Sequence, residues 1–206
     1  MLRRLFCLGG FLLVFISSDL AYSQKADLVK SSKEFQKELN EEFRDPEESP
    51  LDLEDLANFE ALEFFEIDPD FIVKAEFVRT PAESPFMMKT STDRMPVYVK
   101  YGELYFSLNN KNYKLNVYQN QELTQDPEYF DYLFLPFTDR TNGKTTYGGG
   151  RYIDLRIPQT NEVVIDFNKA YNPYCAYSGR YSCPIPPEEN DLDIEIPAGV
   201  KAFEGH

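Results

Sequence analysis

Residues 102–119 read GELYFSLNNKNYKLNVYQ, and this stretch decides the fold class. Apolar side chains occupy every second position on both sides of an asparagine-rich centre at residues 109–112. Strict alternation is typical of a β-strand with one buried face, and asparagine tolerates the positive φ of a tight turn. The stretch therefore predicts an antiparallel hairpin. Its alternating apolar positions are Leu104, Phe106, Leu108, Tyr113, Leu115 and Val117.

Similar short runs flank the hairpin and extend the β pattern. Turn residues separate the runs and no helical pattern lies between them, which favours antiparallel pairing. Pro136 has no N–H to donate, so it predicts an edge or a bulge. We expect a mainly β fold, an antiparallel sandwich or open barrel with one or two N-terminal helices. The predicted strands are 71–78, 96–100, 133–137, 152–157, 162–167 and 193–196.

Two helices are predicted ahead of the strands. The serines at 31–32 are candidate N-caps for the first helix, and Pro46 ends it. A second short helix is expected to run to about Asn58. The apolar residues of the first helix recur every four positions, which predicts one buried face. That face carries Phe35, Leu39 and Phe43.

The first 23 residues predict an export signal. Arg3 and Arg4 precede an apolar run at residues 5–16, and small residues follow where a signal peptidase reads the chain. We expect cleavage between Ser23 and Gln24. The apolar run is too short to favour a retained anchor. The protein is therefore expected to be exported, periplasmic or secreted, with no stable membrane anchor after cleavage.

The rest of the chain is predicted to hold one domain with a helical extension. The expected divisions are a leader at 1–23, a helical segment at 24–58 and a β-rich domain at 59–206. A formal net charge of −14 at pH 7 repels phosphate backbones, so nucleic acid is not an expected partner. The single histidine is His206, which argues against imidazole zinc sites and Ser-His-Asp or Cys-His catalysis. We expect neither a metal nor a cofactor.

Cys175 and Cys183 are the two cysteines that remain after removal of the leader. An even pair of cysteines in an exported protein predicts a disulfide. The two residues are close in sequence, so the bond would close a short loop.

The segment at 163–190, VVIDFNKAYNPYCAYSGRYSCPIPPEEN, is the strongest candidate for a functional site. It begins as an apolar strand and continues as a loop rich in tyrosine, amides and proline, whereas ordinary loops carry small polar residues. A glycine turn at 147–151 offers Arg151 as a clamp for a carboxylate. We expect the turn and the loop to enclose one pocket for a small polar molecule. Its predicted ligand-binding residues are Tyr147, Arg151, Asp166, Asn168, Tyr171, Asn172, Tyr177 and Asn190.

The motifs TYGGGRYIDL at 146–155 and DFN, AYNP, CAY and CPIPP within 166–187 resemble the bacterial domain-of-unknown-function family 1684. The resemblance covers roughly residues 59–203. It implies a mainly β fold and no particular activity, because the family is uncharacterised. Relatives without an export signal would keep both cysteines in a reducing compartment. The resemblance therefore also implies a thiol, redox or ligand-contact role as the alternative to a disulfide.

Three functions stay open on the residues alone. The first is a binding module for a small polar or sugar-like ligand. The second is a hydrolase in which Asp166 and Glu189 act as paired catalytic carboxylates. The third is a structural envelope protein, in which the same side chains only hold the backbone of an irregular loop. The sequence leaves open whether the chain is an enzyme and what its oligomeric state is.

Overall fold

The computed structural model describes residues 13–203, with side chains described from Lys25 onward. Residues 1–12 of the predicted leader, and His206, lie outside the described residues. Two helices precede a sheet of eight strands. The helices are α1 (Leu13–Arg44) and α2 (Leu53–Asn58). The strands are β1 (Ile72–Arg79), β2 (Phe86–Met87), β3 (Val97–Leu108), β4 (Lys111–Asn120), β5 (Tyr132–Asp139), β6 (Arg151–Arg156), β7 (Glu162–Asp166) and β8 (Asp191–Leu192).

Helix α1 is longer than predicted but buries the predicted face. It begins at Leu13, so the prediction of an N-cap at the serines 31–32 is wrong. Ser32 lies inside the helix, where its Oγ contacts the Leu28 carbonyl at 3.0 Å. Leu39 and Phe43 are buried, as the four-residue spacing predicted. Within the described part of the chain, no helix combines the length and the apolar character that a membrane crossing needs.

The strands form a mainly antiparallel sheet that curls into a half-barrel. Their order across the sheet is β6-β5-β4-β3-β1-β7. The predicted hairpin is β3–β4, with Leu104 opposite Leu115. Its turn consists of Asn109 and Asn110, whose φ angles are 51° and 60°. The prediction of a mainly β open barrel with one or two N-terminal helices is confirmed.

A β-bulge joins two runs that were predicted as separate strands. The run at 96–100 and the first strand of the hairpin form one strand, β3, and the register shifts between Lys100 and Gly102. Only glycine fits at position 102, because a Cβ there would lie 2.4 Å from the Phe77 ring and 2.9 Å from the Val78 carbonyl oxygen. Bulges bend a strand and increase its twist. The bend at Gly102 therefore contributes to the curl of the sheet.

The prediction of a strand at 193–196 is wrong. β8 covers only Asp191–Leu192, and it pairs in parallel with the end of β5. The segment that follows is irregular, and its carbonyls at Ile196 and Ala198 accept hydrogen bonds from Arg151. Alternating sequence makes a strand only where a partner strand takes its backbone groups. Here the Arg151 guanidinium, rather than a partner strand, donates hydrogen bonds to two of these carbonyls.

Each face of the sheet carries a hydrophobic cluster. The inner face carries an aliphatic core that includes Leu115, Leu135 and Ile153. The outer face carries an aromatic cluster of Met88, Tyr98, Tyr118, Phe134 and Tyr152. The register places Tyr118 opposite Phe134 and Phe134 opposite Asp154, so the three residues lie in one row across β4, β5 and β6. This outer face positions the candidate site.

Candidate functional site

The glycine turn at 147–151 and the 163–190 loop meet in the structure, but they pack solidly. A Cβ on Gly150 would lie 2.7 Å from Pro186 and 2.8 Å from the Phe137 carbonyl oxygen. The φ of Gly150 is 90°, a conformation that side chains rarely adopt. The predicted pocket therefore does not open at this contact.

Arg151 is fully buried and holds the fold together. Its guanidinium pairs with Asp139 at 2.8 Å, and both side chains are 0 % exposed. It also donates to the carbonyls of Ile196, at 2.9 Å, and Ala198. Burial lowers the pKa of Arg151, whereas Asp139 raises it. The side chain ties the irregular C-terminal segment to β5 and β6, and it is not among the residues that line the cavity described below.

Asp166 and Asn168 join helix α1 to the end of β7. The Asp166 carboxylate accepts the hydroxyl of Ser32 at 2.6 Å and both the backbone and the side-chain N–H of Asn168 at 3.0 Å. Asn168 exchanges two hydrogen bonds with the backbone of Asp68. The second predicted catalytic carboxylate, Glu189, is exposed to solvent. A buried, fully bonded carboxylate and an exposed one do not support a hydrolase with Asp166 and Glu189 as its pair.

Asn190 bridges two strands of the sheet. Its Nδ2 donates to the carbonyls of Pro136, at 2.6 Å, and Asn116, at 2.8 Å. Its Oδ1 accepts the Asn116 N–H at 2.8 Å. The side chain thus stands in for ladder hydrogen bonds between β4 and β5, at the point where Pro136 has no N–H to offer. The prediction of an edge or a bulge at Pro136 located this irregularity. Asn190 was predicted to bind a ligand, and in the structure its side chain bonds the backbone at this point.

Asn172 and Tyr177 pack in the helical half of the molecule. Asn172 is buried and donates to the Lys201 carbonyl at 2.9 Å. Tyr177 lies edge-on to Phe43 of α1, with the ring centroids 4.7 Å apart. Both residues help to hold the loop against the N-terminal helix. Neither lines the cavity described below.

The two cysteines are close together but unbonded. Both are free thiols, and the backbone N–H of Cys175 donates to Cys183 Sγ at 3.1 Å. Tyr147, another predicted site residue, places its hydroxyl 3.9 Å from Cys175 Sγ. The predicted disulfide is thus absent from this structure, and it remains a prediction about the oxidised protein.

A cavity of about 430 Å³ opens elsewhere, between α1, the outer face of the sheet and the 171–184 part of the loop. This volume lies in the range of small-molecule sites. Nine of its seventeen lining residues are aromatic: Phe35, Tyr98, Tyr129, Tyr132, Phe134, Tyr152, Tyr171, Tyr174 and Tyr181. The lining contains two carboxylates, Asp154 and Glu42, and neither lysine nor arginine. Of the eight predicted ligand-binding residues, only Tyr171 lines it.

Asp154 is the polar centre of this aromatic cavity. Its Oδ1 accepts the hydroxyls of Tyr132, at 2.7 Å, and Tyr171, at 2.6 Å. None of the described residues donates to its Oδ2. Tyr171 reaches Asp154 because its backbone pairs with that of Tyr152, with N–O distances of 2.9 and 3.0 Å. The loop thereby forms a short antiparallel bridge with β6 and supplies one wall of the cavity.

The environment of Asp154 disfavours a free negative charge. Burial raises its pKa, although the two tyrosine hydroxyls and the positive charge of Arg156 oppose the shift. Protein atoms lie close around the carboxylate, but the residue as a whole is exposed to solvent at the edge of the cavity. The pKa values of Tyr132 and Tyr171 are raised, mainly by burial and also by Asp154, so both hydroxyls stay protonated donors. Arg156 is engaged by Asp131 at 2.8 Å.

A larger depression, of about 670 Å³, lies near the start of β1 and has no aromatic lining. Its charged residues are paired at the surface, Lys25 with Asp70 at 3.2 Å and Lys74 with Glu162 at 2.9 Å. Among residues 13–203, no group of three histidine, cysteine, aspartate or glutamate side chains is arranged to hold a metal ion. The aromatic cavity is therefore the better candidate for a site.

The comparisons with known proteins identify the family. The family model described as protein of unknown function, DUF1684, matches residues 57–201. The chain belongs to this family. A search of curated proteins finds no match.

A solved structure supports the fold. The chain is similar to an uncharacterized protein of Haloarcula marismortui, whose structure was determined in solution by NMR. The two are 31 % identical, the match covers 89 % of this chain and 99 % of the other, and the TM-score is 0.70. The family model thus confirms the resemblance predicted from the motifs, and the half-barrel is shared with that solved structure.

The sequence analysis missed Asp154, although a signal for it was present. In the alternating run at 152–157, Ile153 and Leu155 share one face of the predicted strand. Tyr152 and Asp154 share the opposite face. An ordinary solvated face carries mainly charged and small polar residues, so a tyrosine beside an acid was a signal of something else. The neighbours of that face are set by the register of β5 against β6 and by the pairing of Tyr171 with Tyr152, and neither can be read from the sequence.

Proposed function

We propose that this DUF1684 protein is a binding module for a small organic cation, such as an amine or a quaternary ammonium compound, held in the aromatic cavity. One observation carries the proposal. Solvent-exposed Asp154 lines a cavity with nine aromatic residues and no basic side chain in its lining, and none of the described residues donates to its Oδ2. Aromatic faces attract cations through the ring quadrupole, by about 0.5–2 kcal/mol per contact. A carboxylate among them selects a cation over a neutral molecule of the same shape.

The two tyrosine hydroxyls preorganise this carboxylate. Both Tyr132 and Tyr171 donate to Oδ1, which fixes the plane of Asp154 and leaves Oδ2 to the ligand. A bound cation would compensate the unfavourable burial of the negative charge, which is what raises the pKa of Asp154. Affinity should therefore fall when the pH drops below that raised pKa, because a protonated Asp154 has no charge to offer.

Calorimetric titration with choline and with its neutral carbon isostere, 3,3-dimethylbutan-1-ol, tests the proposal. The two probes have nearly the same shape and differ in charge. We expect choline to bind at least about tenfold more tightly, a difference of about 1.4 kcal/mol. Asp154→Asn should remove this preference, whereas the surface control Asp193→Asn should keep it.

Equal binding of the two probes would contradict the charge selection. A preference that survives in Asp154→Asn would place the cation elsewhere. Tighter binding of neutral sugars than of choline would favour a sugar-like ligand and would overturn the proposal.

Export of the protein is part of the same proposal. It is supported by the arrangement of charge, apolar run and small residues at 1–23. Residues 25–44 of α1 contact the β-domain, for example through the hydrogen bond from Ser32 to Asp166. Removal of residues 1–23 would leave these contacts in place. N-terminal sequencing of the expressed protein should find Gln24 in the periplasm or medium, whereas an intact Met1 in the cytoplasm would refute export.

A further inference from the structure

Cys175 and Cys183 lie against each other beside the aromatic cavity. The backbone N–H of Cys175 donates to Cys183 Sγ at 3.1 Å. Because a backbone nitrogen lies about 1.5 Å from its own Cα, the Cys183 sulfur is within about 4.6 Å of the Cys175 Cα. The Cys183 sulfur therefore lies against the backbone of Cys175, which places the two cysteine side chains next to each other.

The two thiols have unequal surroundings. Cys175 is half-buried in the one-turn helix Tyr174–Ala176, and the Tyr147 hydroxyl lies 3.9 Å from its sulfur. Hydrogen bonding from the Cys183 thiol, and then from Tyr147 and Ser91, lowers the pKa of Cys175 to about 6. Cys175 is therefore the thiolate of the pair at neutral pH.

Cys183 is the protonated partner and is held more firmly. It is buried, its N–H donates to the Ser91 hydroxyl at 3.1 Å, and its carbonyl accepts the Ser91 N–H at 2.9 Å. Its hydrogen bond to the Cys175 thiolate, together with burial, raises its pKa. An accessible thiolate next to a buried thiol is the arrangement of an attacking and a resolving cysteine.

We propose that Cys175 and Cys183 form a redox-active dithiol that exchanges electrons with small disulfides. The Cys175 thiolate attacks one sulfur of a substrate disulfide, forming a mixed disulfide and releasing one substrate thiolate. The Cys183 thiol then loses its proton to that thiolate and attacks the Cys175 sulfur. The Cys175–Cys183 disulfide forms, and the second half of the substrate leaves as a thiolate. Two electrons pass from the dithiol to the substrate disulfide, which is reduced to one thiol and one thiolate.

The proposal is independent of the cation-binding function, since neither Asp154 nor its tyrosines take part. It differs from a purely structural disulfide in what it requires of the two sulfurs. A structural bond needs only that they be close. An exchanging pair also needs one activated, accessible thiolate, and the half-exposed Cys175 beside Tyr147 meets that need.

Alkylation of the reduced wild-type protein is the first test, and it needs no substitution. Iodoacetamide is applied across pH 5–9, and peptide mapping follows each cysteine separately. We expect Cys175 to react with a midpoint near pH 6 and at least about tenfold faster than Cys183 at pH 7. Equal rates for the two cysteines, or an inert Cys175, would overturn the proposal.

Reaction with oxidised glutathione is the second test. The wild-type protein should reach a dithiol–disulfide equilibrium that shifts with the ratio of reduced to oxidised glutathione. Cys183→Ser should accumulate a glutathione mixed disulfide at Cys175, whereas Cys175→Ser should stay unmodified. A wild-type disulfide that persists under every glutathione ratio would be structural and would refute the exchange. If a serine variant does not fold, the wild-type equilibrium and the alkylation profile decide.

Tyr147 is inferred to be a positioning residue for the Cys175 thiolate. Tyr147→Phe removes the hydroxyl 3.9 Å from the sulfur and should move the alkylation midpoint of Cys175 to higher pH. Tyr105→Phe is the matched control, because Tyr105 is an exposed strand residue bonded to Glu103. An unchanged midpoint in Tyr147→Phe would show that this hydroxyl plays no part.

Discussion

Two aspartates on neighbouring strands, Asp139 of β5 and Asp154 of β6, have opposite surroundings. Asp139 is buried, and both of its oxygens are bonded, to Arg151 on one side and to Thr141 and the Ile196 N–H on the other. Asp154 is exposed and lines a cavity; its Oδ1 is bonded to two tyrosine hydroxyls, and none of the described residues donates to its Oδ2. Buried polar groups in a fold are normally fully hydrogen-bonded. The comparison teaches that unmet bonding capacity beside an open space, rather than polarity, marks the functional candidate.

The same contrast separates the two halves of the 163–190 segment. The polar residues at its two ends, Asp166, Asn168 and Asn190, form hydrogen bonds with the backbone and with α1. The middle of the segment, from Tyr171 to Cys183, contributes aromatic rings and the Cys183 side chain to the lining of the cavity. One stretch of sequence therefore serves both the fold and the candidate site.

The largest expected effect is on the structural side. Arg151→Ala leaves Asp139 charged and unpaired in the core, so we expect a loss of about 3–5 kcal/mol in the free energy of unfolding. Urea unfolding followed by circular dichroism measures it. Arg140→Ala is the control, because Arg140 forms an exposed ion pair with Asp193 and should contribute about 0–1 kcal/mol. Similar small losses in both variants would break the comparison.

An intermediate effect is expected at the strand bridge. Asn190→Ala removes three hydrogen bonds from Asn116 and Pro136. The unsatisfied backbone groups should lower the free energy of unfolding by about 1–3 kcal/mol. Asn112→Ala, at an exposed position in β4, should stay within about 0.5 kcal/mol. A loss of choline binding without a loss of stability in Asn190→Ala would return Asn190 to the ligand-binding residues.

The smallest effect on stability is expected at Asp154. Its pKa is raised in the folded state, so the folded protein holds that proton more tightly than the unfolded chain. Stability should therefore fall as the pH rises from the ordinary pKa of an aspartate through the raised value. Asp154→Asn removes this dependence, and its Oδ1 can still accept both tyrosine hydroxyls.

Thermal unfolding across pH 4–8 measures this effect. Near pH 7, the variant should be as stable as the wild-type protein or more stable, within about 1 kcal/mol. The control Asp193→Asn should keep the wild-type pH dependence. A marked destabilisation of Asp154→Asn would assign Asp154 to the fold, like Asp139, and would remove the distinction between them.

Much of the architecture was predictable because it rests on local patterns. The alternation at 102–119 and the asparagine pair predicted the hairpin, and the four-residue spacing of Leu39 and Phe43 predicted the buried face of α1. The strand at 193–196 failed because its partner was a guanidinium rather than an edge strand. The N-cap failed because a helix can begin earlier than its first good cap residue.

The candidate site was predictable only in part. The aromatic loop was correctly chosen as unusual, and Tyr171 does line the cavity. The other seven predicted ligand-binding residues do not, because side chains that can bind a ligand can also bind backbone. Which of the two they do depends on partners such as Ser32 and Asp68, which lie more than ninety positions away in the chain.

The amino-acid sequence by itself determined the β-hairpin, the amphipathic face of α1 and the membership of a family, since each depends on neighbouring residues or on their order. Only the tertiary structure decided that Arg151 forms an ion pair in the core and that none of the described residues donates to one carboxylate oxygen of Asp154. The physical reason is that a hydrogen bond forms only between groups that the folded chain brings within bonding distance. A sequence shows which groups can donate and accept, but only the packed chain shows which of them are left without a partner.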